Sequence, residues 1–339
     1  MAPEERFILD ESRLQSAWPV HGSVIVLNDL VYAAAGRSSF LDGGIYLAGL
    51  DVYRGEPVHH GHFEGPNPDM THRIREGHYM DGASNDLLVT DGEYIYLRQN
   101  KFDLELNHIP TKSLDRISKQ PIKRGKYDVG IGDRIVGLHL FATGGFLDNS
   151  FWNRNFWMHS ELWPGYYHAN QAPKAGQLIT FDEQNTYAMK HYPRRNSHSP
   201  MNIPGKDGYL VYADRTDTPV NLYLGTKDTR PMEWLPTPMK VLQGGKLSSE
   251  EDPNYPAVNF DKGPGLSRRT PPLWTAWHPT RFVAMSQAGD KLVLCGTPDE
   301  IPEEDPLASY QGRLGSRLVI LDTSDGKTLG VFALNAVPV

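Results

Sequence analysis

The chain has 339 residues and a formal net charge of −7, with 39% hydrophobic and 22% charged residues. That balance is globular and excludes disorder along the whole length. The mild acidity and the lack of a basic block argue against nucleic acid as a partner, because phosphate neutralisation supplies most of that affinity. No apolar run approaches the ~18 residues of a membrane helix, and Cys295 as sole cysteine excludes a disulfide framework or a cysteine-based metal site.

The first residues, Met1-Ala-Pro-Glu-Glu-Arg6, hold no apolar signal core, so the chain as written reads as cytoplasmic; with a signal already removed it reads as periplasmic or extracellular. Gly 32 and Pro 26 exceed average usage, so the chain turns often. Residues 23–36 read as strand, Asn-Asp turn, strand. Residues 44–51 form a further strand ending in Leu50-Asp51, followed by Gly55 and another strand at Val58-His-His60. A second hairpin spans 86–98, with Asp91-Gly92 as its expected turn, and a fainter one spans 177–189. A fifth pair of short strands is expected at 209–224. Residues 281–296 repeat the first pattern around Gly289-Asp290, and 316–334 repeat the Leu-Asp-then-Gly pattern as Leu321-Asp322 and Gly326.

A strand–turn–strand unit copied at intervals, each copy giving four short antiparallel strands, is the blade of a β-propeller. The expected fold is therefore an all-β propeller in one domain over 1–339. Three stretches, 62–85, 142–176 and 193–275, fall outside the repeat and are expected as long loops gathered on one face. At ~42 residues per blade the length has room for seven or eight blades, of which four or five are legible. The last residues stop in mid-strand, so either the insertions consume the difference or further blades come from a longer chain or another one.

The strand ending in Asp with Gly four residues on, at Asp51/Gly55 and Asp322/Gly326, resembles the repeat of pyrroloquinoline-quinone-type propellers. More narrowly, Trp18-Pro-Val-His-Gly-Ser-Val24, Ala35-Gly-Arg-Ser-Ser39, Leu41-Asp-Gly-Gly44 and Gly145-Phe-Leu-Asp-Asn149 with Phe181-Asp182 resemble quinoprotein-dehydrogenase-like propellers of the planctomycete bacterial type. The resemblance covers roughly 18–190 and 270–339 and matches the C-terminal portion of such proteins. It implies the fold and little about activity. The family's docking Trp is replaced at the matching positions by His59 and Gly330. One cysteine excludes the vicinal disulfide of true quinone dehydrogenases, and no Glu-Asn-Asp calcium set is assignable, which argues against the quinone as a cofactor.

Residues 146–175 carry the richest chemistry: Trp152, Trp157, Trp163, Tyr166 and Tyr167 beside Asn153, Asn155 and Glu161. Flat aromatic faces next to amides and acids suit sugar rings, which stack on their C–H faces and hydrogen-bond at their rims; the same residues also suit a packed plug on one propeller face. A glycan or a partner protein is the expected ligand. The alternative is a carbohydrate-active enzyme such as a lyase on a uronate-containing glycan. For it the sequence supplies His159 or His168 as base, Tyr187 or Tyr192 as acid, and Arg154 or Arg194 to neutralise the carboxylate.

His59-His-Gly-His62 raises a metal reading, because His60 and His62 share a strand face and His72 and His78 follow. The competing reading makes them solvated strand residues. No cofactor is assigned, and a divalent metal stays open. Trp18 and Trp274 each precede a blade's first strand and are expected to close that blade against its neighbour or to line the channel. Cys295 reads as a buried small hydrophobe.

Overall fold

The structure is a computed structural model, and it describes residues 4–10, 12–20, 22–39, 41–64, 87–98, 100–109, 112–113, 134–142, 157–163, 173–191, 194–196, 199–218, 221–223, 239–242, 246–249, 258–259, 265–267 and 272–336. These residues form strands and turns, with no helix among them. They group into two compact units, Met1–Asn155 with Ser160–Ala169, and Phe156–His159 with Asn170–Val339.

In the first unit, β1 (Phe7–Asp10) and β2 (Arg13–Ser16) make a hairpin of their own. Then β3 (Ile25–Leu27), β4 (Leu30–Ala35), β5 (Ile45–Asp51) and β6 (Pro57–Phe63) form a four-stranded antiparallel sheet in chain order. A second sheet of the same kind holds β7 (Leu88–Thr90), β8 (Ile95–Leu97), β9 (Asn100–Phe102) and β10 (His108–Ile109). Tyr32, Ala34, Ile45, Leu47 and Phe63 from the first sheet and Leu88, Ile95, Leu97 and Phe102 from the second share one buried core. Beyond them, β11 (Lys112–Ser113) pairs with β12 (Arg134–Ala142).

The boundary between units passes through β13 (Trp157–Trp163), whose first residues pair with β14 (Ala175–Gly176) in the second unit. There follow β15 (Leu178–Phe181), β16 (Asn185–Lys190), the small pair β17 (Arg194–Asn196) and β18 (Ser199–Met201), and β19 (Tyr209–Arg215). Short strands β20 (Asn221–Tyr223), β21 (Met239–Leu242), β22 (Lys246–Ser249), β23 (Val258–Asn259) and β24 (Gly265–Ser267) precede β25 (Trp274–His278). The last sheet is β26 (Thr280–Ala288), β27 (Lys291–Pro298), β28 (Ser316–Asp322) and β29 (Thr328–Leu334), again antiparallel and in chain order.

Two sequence expectations change here. The 209–224 segment does not begin a further blade: β19 is the third strand of the sheet β15-β16-β19-β25. Six consecutive buried residues, Tyr209 to Asp214, make it a central strand covered on both faces, which is why it shows no polar alternation. The stretch 193–275 therefore carries two strands of the repeat, β19 and β25, with the departure from the pattern lying between them. The 86–98 hairpin also turns differently. Thr90 pairs with Ile95 across four residues, and the Asp91 side chain accepts the N–H groups of Glu93 and Tyr94 at 3.0 and 2.8 Å.

The Leu-Asp-x-x-x-Gly pattern has the same physical basis in both copies. Asp51 Oδ1 accepts the N–H of Tyr53 and Arg54, and Gly55 N–H donates to Asp51 O at 2.8 Å. Asp322 Oδ1 accepts from Ser324 N–H, and Gly326 N–H donates to Asp322 O at 2.9 Å. Val52 and Thr323, each following the Asp, reach back to Asp29 O and Asp290 O in the preceding hairpin turn, both at 3.0 Å. Both glycines stand in the left-handed region, at φ 69° and 72°. Their surroundings differ. A Cβ on Gly55 meets open space, whereas one on Gly326 falls 2.4 Å from the Trp274 ring.

Trp274, on β25, packs its indole against this turn. Its Nε1 donates to Thr323 O at 2.8 Å, and its ring lies in the core that joins β15-β16-β19-β25 to β26-β27-β28-β29. This is the expected closing of one sheet against its neighbour. Trp18, in the first unit, is buried with Ala17 and Ala35. Cys295 is buried in β27, as its sequence context suggested.

Candidate functional site

The sequence candidates divide by position. His168, Tyr192, Arg154, Trp152, Asn153, Asn155, Tyr166, Tyr167, His72 and His78 lie outside the described residues. Arg194 lies in β17, and Trp163 closes β13. In the first unit, Glu161 is exposed. In the second, Trp157 is half-buried at the start of β13, opposite Gly176.

His159 is 4% exposed and sits among buried polar groups of the second unit. Its Nδ1 lies 3.1 Å from Thr186 Oγ1, Thr186 Oγ1 lies 3.1 Å from Thr216 Oγ1, and Thr216 donates to Asp182 O at 3.2 Å. Each threonine has one hydroxyl proton. With that of Thr216 on Asp182 O, Thr186 must donate to Thr216, so His159 Nδ1 carries the proton that completes the chain. The His159 ring also stacks on Phe181 at 4.1 Å.

Lys174 and Asp214 belong to the same buried region. Lys174 Nζ donates to Thr216 O at 2.7 Å, and its backbone N–H points to Asp214 Oδ2 at 3.4 Å. Tyr212 OH accepts from Ala175 N–H and donates to Ala175 O, pinning β14 onto the sheet. A lysine and an aspartate, 2% and 1% exposed, are tolerated only when compensated, and shared hydrogen bonds of this kind provide that. Thr186→Val keeps the shape and removes the central hydroxyl, and is expected to cost ~1–3 kcal/mol in urea unfolding. A loss near zero contradicts the proton chain.

Tyr187 does not join His159. Consecutive strand residues face opposite sides: Thr186 faces His159 and Thr216, while Tyr187 enters the core with Met189, Val211 and Trp274. Burial pushes its hydroxyl pKa up, reinforced by the Asp182 charge. The base and acid proposed from sequence are thus separated by a strand wherever both are described.

The histidines of β6 are also placed. His60 and His62 share a face, opposite Ala48 and Tyr46, and both are exposed. The His62 ring stacks on Tyr46 at 4.5 Å, and its Nε2 meets Gly43 O at 2.5 Å. Among the described residues no group of three His, Cys, Asp or Glu is arranged to hold a metal.

One buried histidine, His139, and one half-buried histidine, His191, carry contacts that the local sequence does not announce. His139, on β12, stacks on Tyr96 at 3.8 Å, with Nδ1 at 2.9 Å from Gly137 O and Nε2 at 3.3 Å from Arg98 O. Burial pushes its pKa down to about 4. Tyr96 in turn donates to Asp91 Oδ2 at 2.6 Å, and burial followed by that bond raises its pKa. The alternation of Gly137-Leu-His-Leu-Phe141, which sets His139 on the face of Phe141, was the available signal. His191 follows β16 and meets Phe282 O at 2.6 Å across 91 residues, and burial lowers its pKa. That partner is invisible in the local sequence. No family model matches the chain, and no curated protein is similar to it.

Proposed function

We propose that this chain is a propeller-type binding module without catalytic activity of its own, taking a glycan through the aromatic stretch 146–175. The propeller reading is supported by four-stranded sheets in chain order and by the hydrogen bonds that repeat between the Asp51 and Asp322 turns. The observation that favours binding over elimination chemistry is the separation of His159 and Tyr187. An elimination needs base and acid on one substrate, whereas these two are buried on opposite sides of β16 and held by structural partners. The glycan as ligand rests on the density of Trp, Tyr and amide side chains in 146–175.

Calorimetric titration with a panel of neutral and uronate polysaccharides, with ultraviolet absorbance followed in parallel, tests this reading. Saturable binding without new unsaturated ends is expected, and Trp157→Ala is expected to weaken it about tenfold by loss of a stacking face. New unsaturated ends favour the lyase. If no polysaccharide binds and Trp157→Ala only lowers thermal stability, the stretch is a structural plug.

A further inference from the structure

The first unit carries a further constellation at the end of the β3-β4-β5-β6 sheet. The loop between β4 and β5 turns through Asp42, Gly43 and Gly44 with three consecutive positive φ values, 56°, 81° and 95°. A non-glycine residue there is strained, and strain of this kind persists only where neighbours hold it. Arg37 does so by donating to Asp42 Oδ2 at 2.8 Å, and His62 does so at Gly43 O. Gly44 is closed in as well, since a Cβ there falls 2.3 Å from Phe63 O. These contacts hold the Asp42–Gly44 turn in place, as a preformed site requires.

Its chemistry is rich in donors. Asp42 receives a second guanidinium, Arg6, at 3.3 Å, and the Arg6 side chain is 47% exposed. Arg6 also lies over the Trp18 ring, 5.9 Å from its centroid. Trp18 is 6% exposed, and its indole N–H, which can only donate, has no acceptor among the described residues; the buried Ser39 hydroxyl has no partner among them either. Buried donors left without acceptors call for an explanation. Aromatic surface adjoins the indole: Trp18 meets Tyr46 edge-on at 5.6 Å, and Tyr46 is stacked against the exposed His62.

We propose that this loop end binds a sugar ring bearing a carboxylate, of the uronate type. Arg6, the looser of the two guanidinium groups on Asp42, turns to the ligand carboxylate and uncovers Trp18. The indole N–H then donates to a ring or hydroxyl oxygen, and the His62–Tyr46 stack faces the C–H side of the ring. Two guanidinium groups and a donor-only indole select an acceptor-rich anion, and the aromatic stack selects a ring over a bare carboxylate.

Calorimetric titration of the intact chain with glucuronate, glucose, acetate and inorganic phosphate tests the site. Glucuronate alone is expected to saturate. Arg6→Gln, at an exposed position, is expected to weaken it about tenfold, and Trp18→Phe, which keeps a ring and removes the N–H, several-fold. Both variants are checked for unchanged thermal unfolding, and should Trp18→Phe unfold, Arg6→Gln alone decides, unchanged glucuronate affinity in that folded variant overturning the proposal. Equal binding of glucose or of phosphate overturns the proposal, as does an absence of glucuronate binding in the folded wild-type chain. Polysaccharide binding that is lost in Trp157→Ala but unchanged in Arg6→Gln overturns this site while leaving the 146–175 reading intact.

Discussion

Replacing Trp274 by alanine is expected to lower the unfolding free energy by ~3–5 kcal/mol, the range for deleting a large buried aromatic side chain. Trp274 is 7% exposed and lies in the core shared by two sheets, with Tyr187 at 6.2 Å and Gly326 against its ring. Its N–H bond to Thr323 O fastens the turn between β28 and β29. The two equivalent glycines provide the control. Gly55→Ala, with open space around it, is expected to cost ~1 kcal/mol for its left-handed backbone alone. Gly326→Ala adds a collision with the indole and is expected to cost several times as much. In a Trp274→Ala background that collision is gone, so the cost of Gly326→Ala should fall back towards that of Gly55→Ala. Urea unfolding of the double-mutant cycle reads this coupling directly. Strict additivity means that Trp274 does not dock on this turn.

The second large effect is loss of stability in acid through His139. Its ordinary pKa of 6.5 falls to about 4 on folding because burial disfavours the imidazolium. The sign follows from linkage: between these values the unfolded chain binds a proton that the folded chain does not. Stability from this group is therefore complete above pH 6.5 and declines as the pH falls towards 4. At the lower limit the loss amounts to ~3 kcal/mol. Burial lowers the pKa of His191 and His278 too, so they add to the decline in the same direction. His139→Phe retains a ring against Tyr96 and Phe141 but cannot take up a proton. It is expected to remove up to one proton's worth of the pH dependence in that window, whatever it does to stability at neutral pH. An unchanged slope in chemical denaturation from pH 6.5 to about 4 contradicts the assignment to His139.

Local turn chemistry made much of the strand pattern legible. Asn28-Asp29 takes positive φ at both residues, as a two-residue hairpin requires, and Gly289-Asp290 closes β26 on β27. The Asp51 and Asp322 turns repeat because each carboxylate caps its own backbone. Asp91-Gly92 misled because Asp91 uses the same side-chain capping to hold a wider turn. The partnership of β16, β19 and β25 was hidden by the long chain between β19 and β25, which no local pattern bridges.

The candidate site was legible as an inventory of residue types and not as geometry. Nothing in Trp157-Met-His-Ser-Glu161 distinguishes a reactive histidine from one that gives its Nδ1 proton to a threonine 27 residues away. Residue type alone makes Tyr187 a candidate acid, while the alternation of β16 turns it into the apolar core. The histidine spacing of β6 suggests a metal, whereas the contacts that His62 makes are to Tyr46 and Gly43. In each case the contacts come from residues distant in the sequence.

The central claim, a binding module in which His159 serves the fold, is tested most directly by incubating the intact chain with a uronate polysaccharide that it binds. The size of that polysaccharide and its ultraviolet absorbance are then followed in the wild type and in His159→Gln. The account predicts bound polysaccharide of unchanged length and no new unsaturated ends with either protein, and lowered thermal stability in the variant alone. Shortened chains with new unsaturated ends that appear with the wild type and vanish with a folded His159→Gln variant would contradict it.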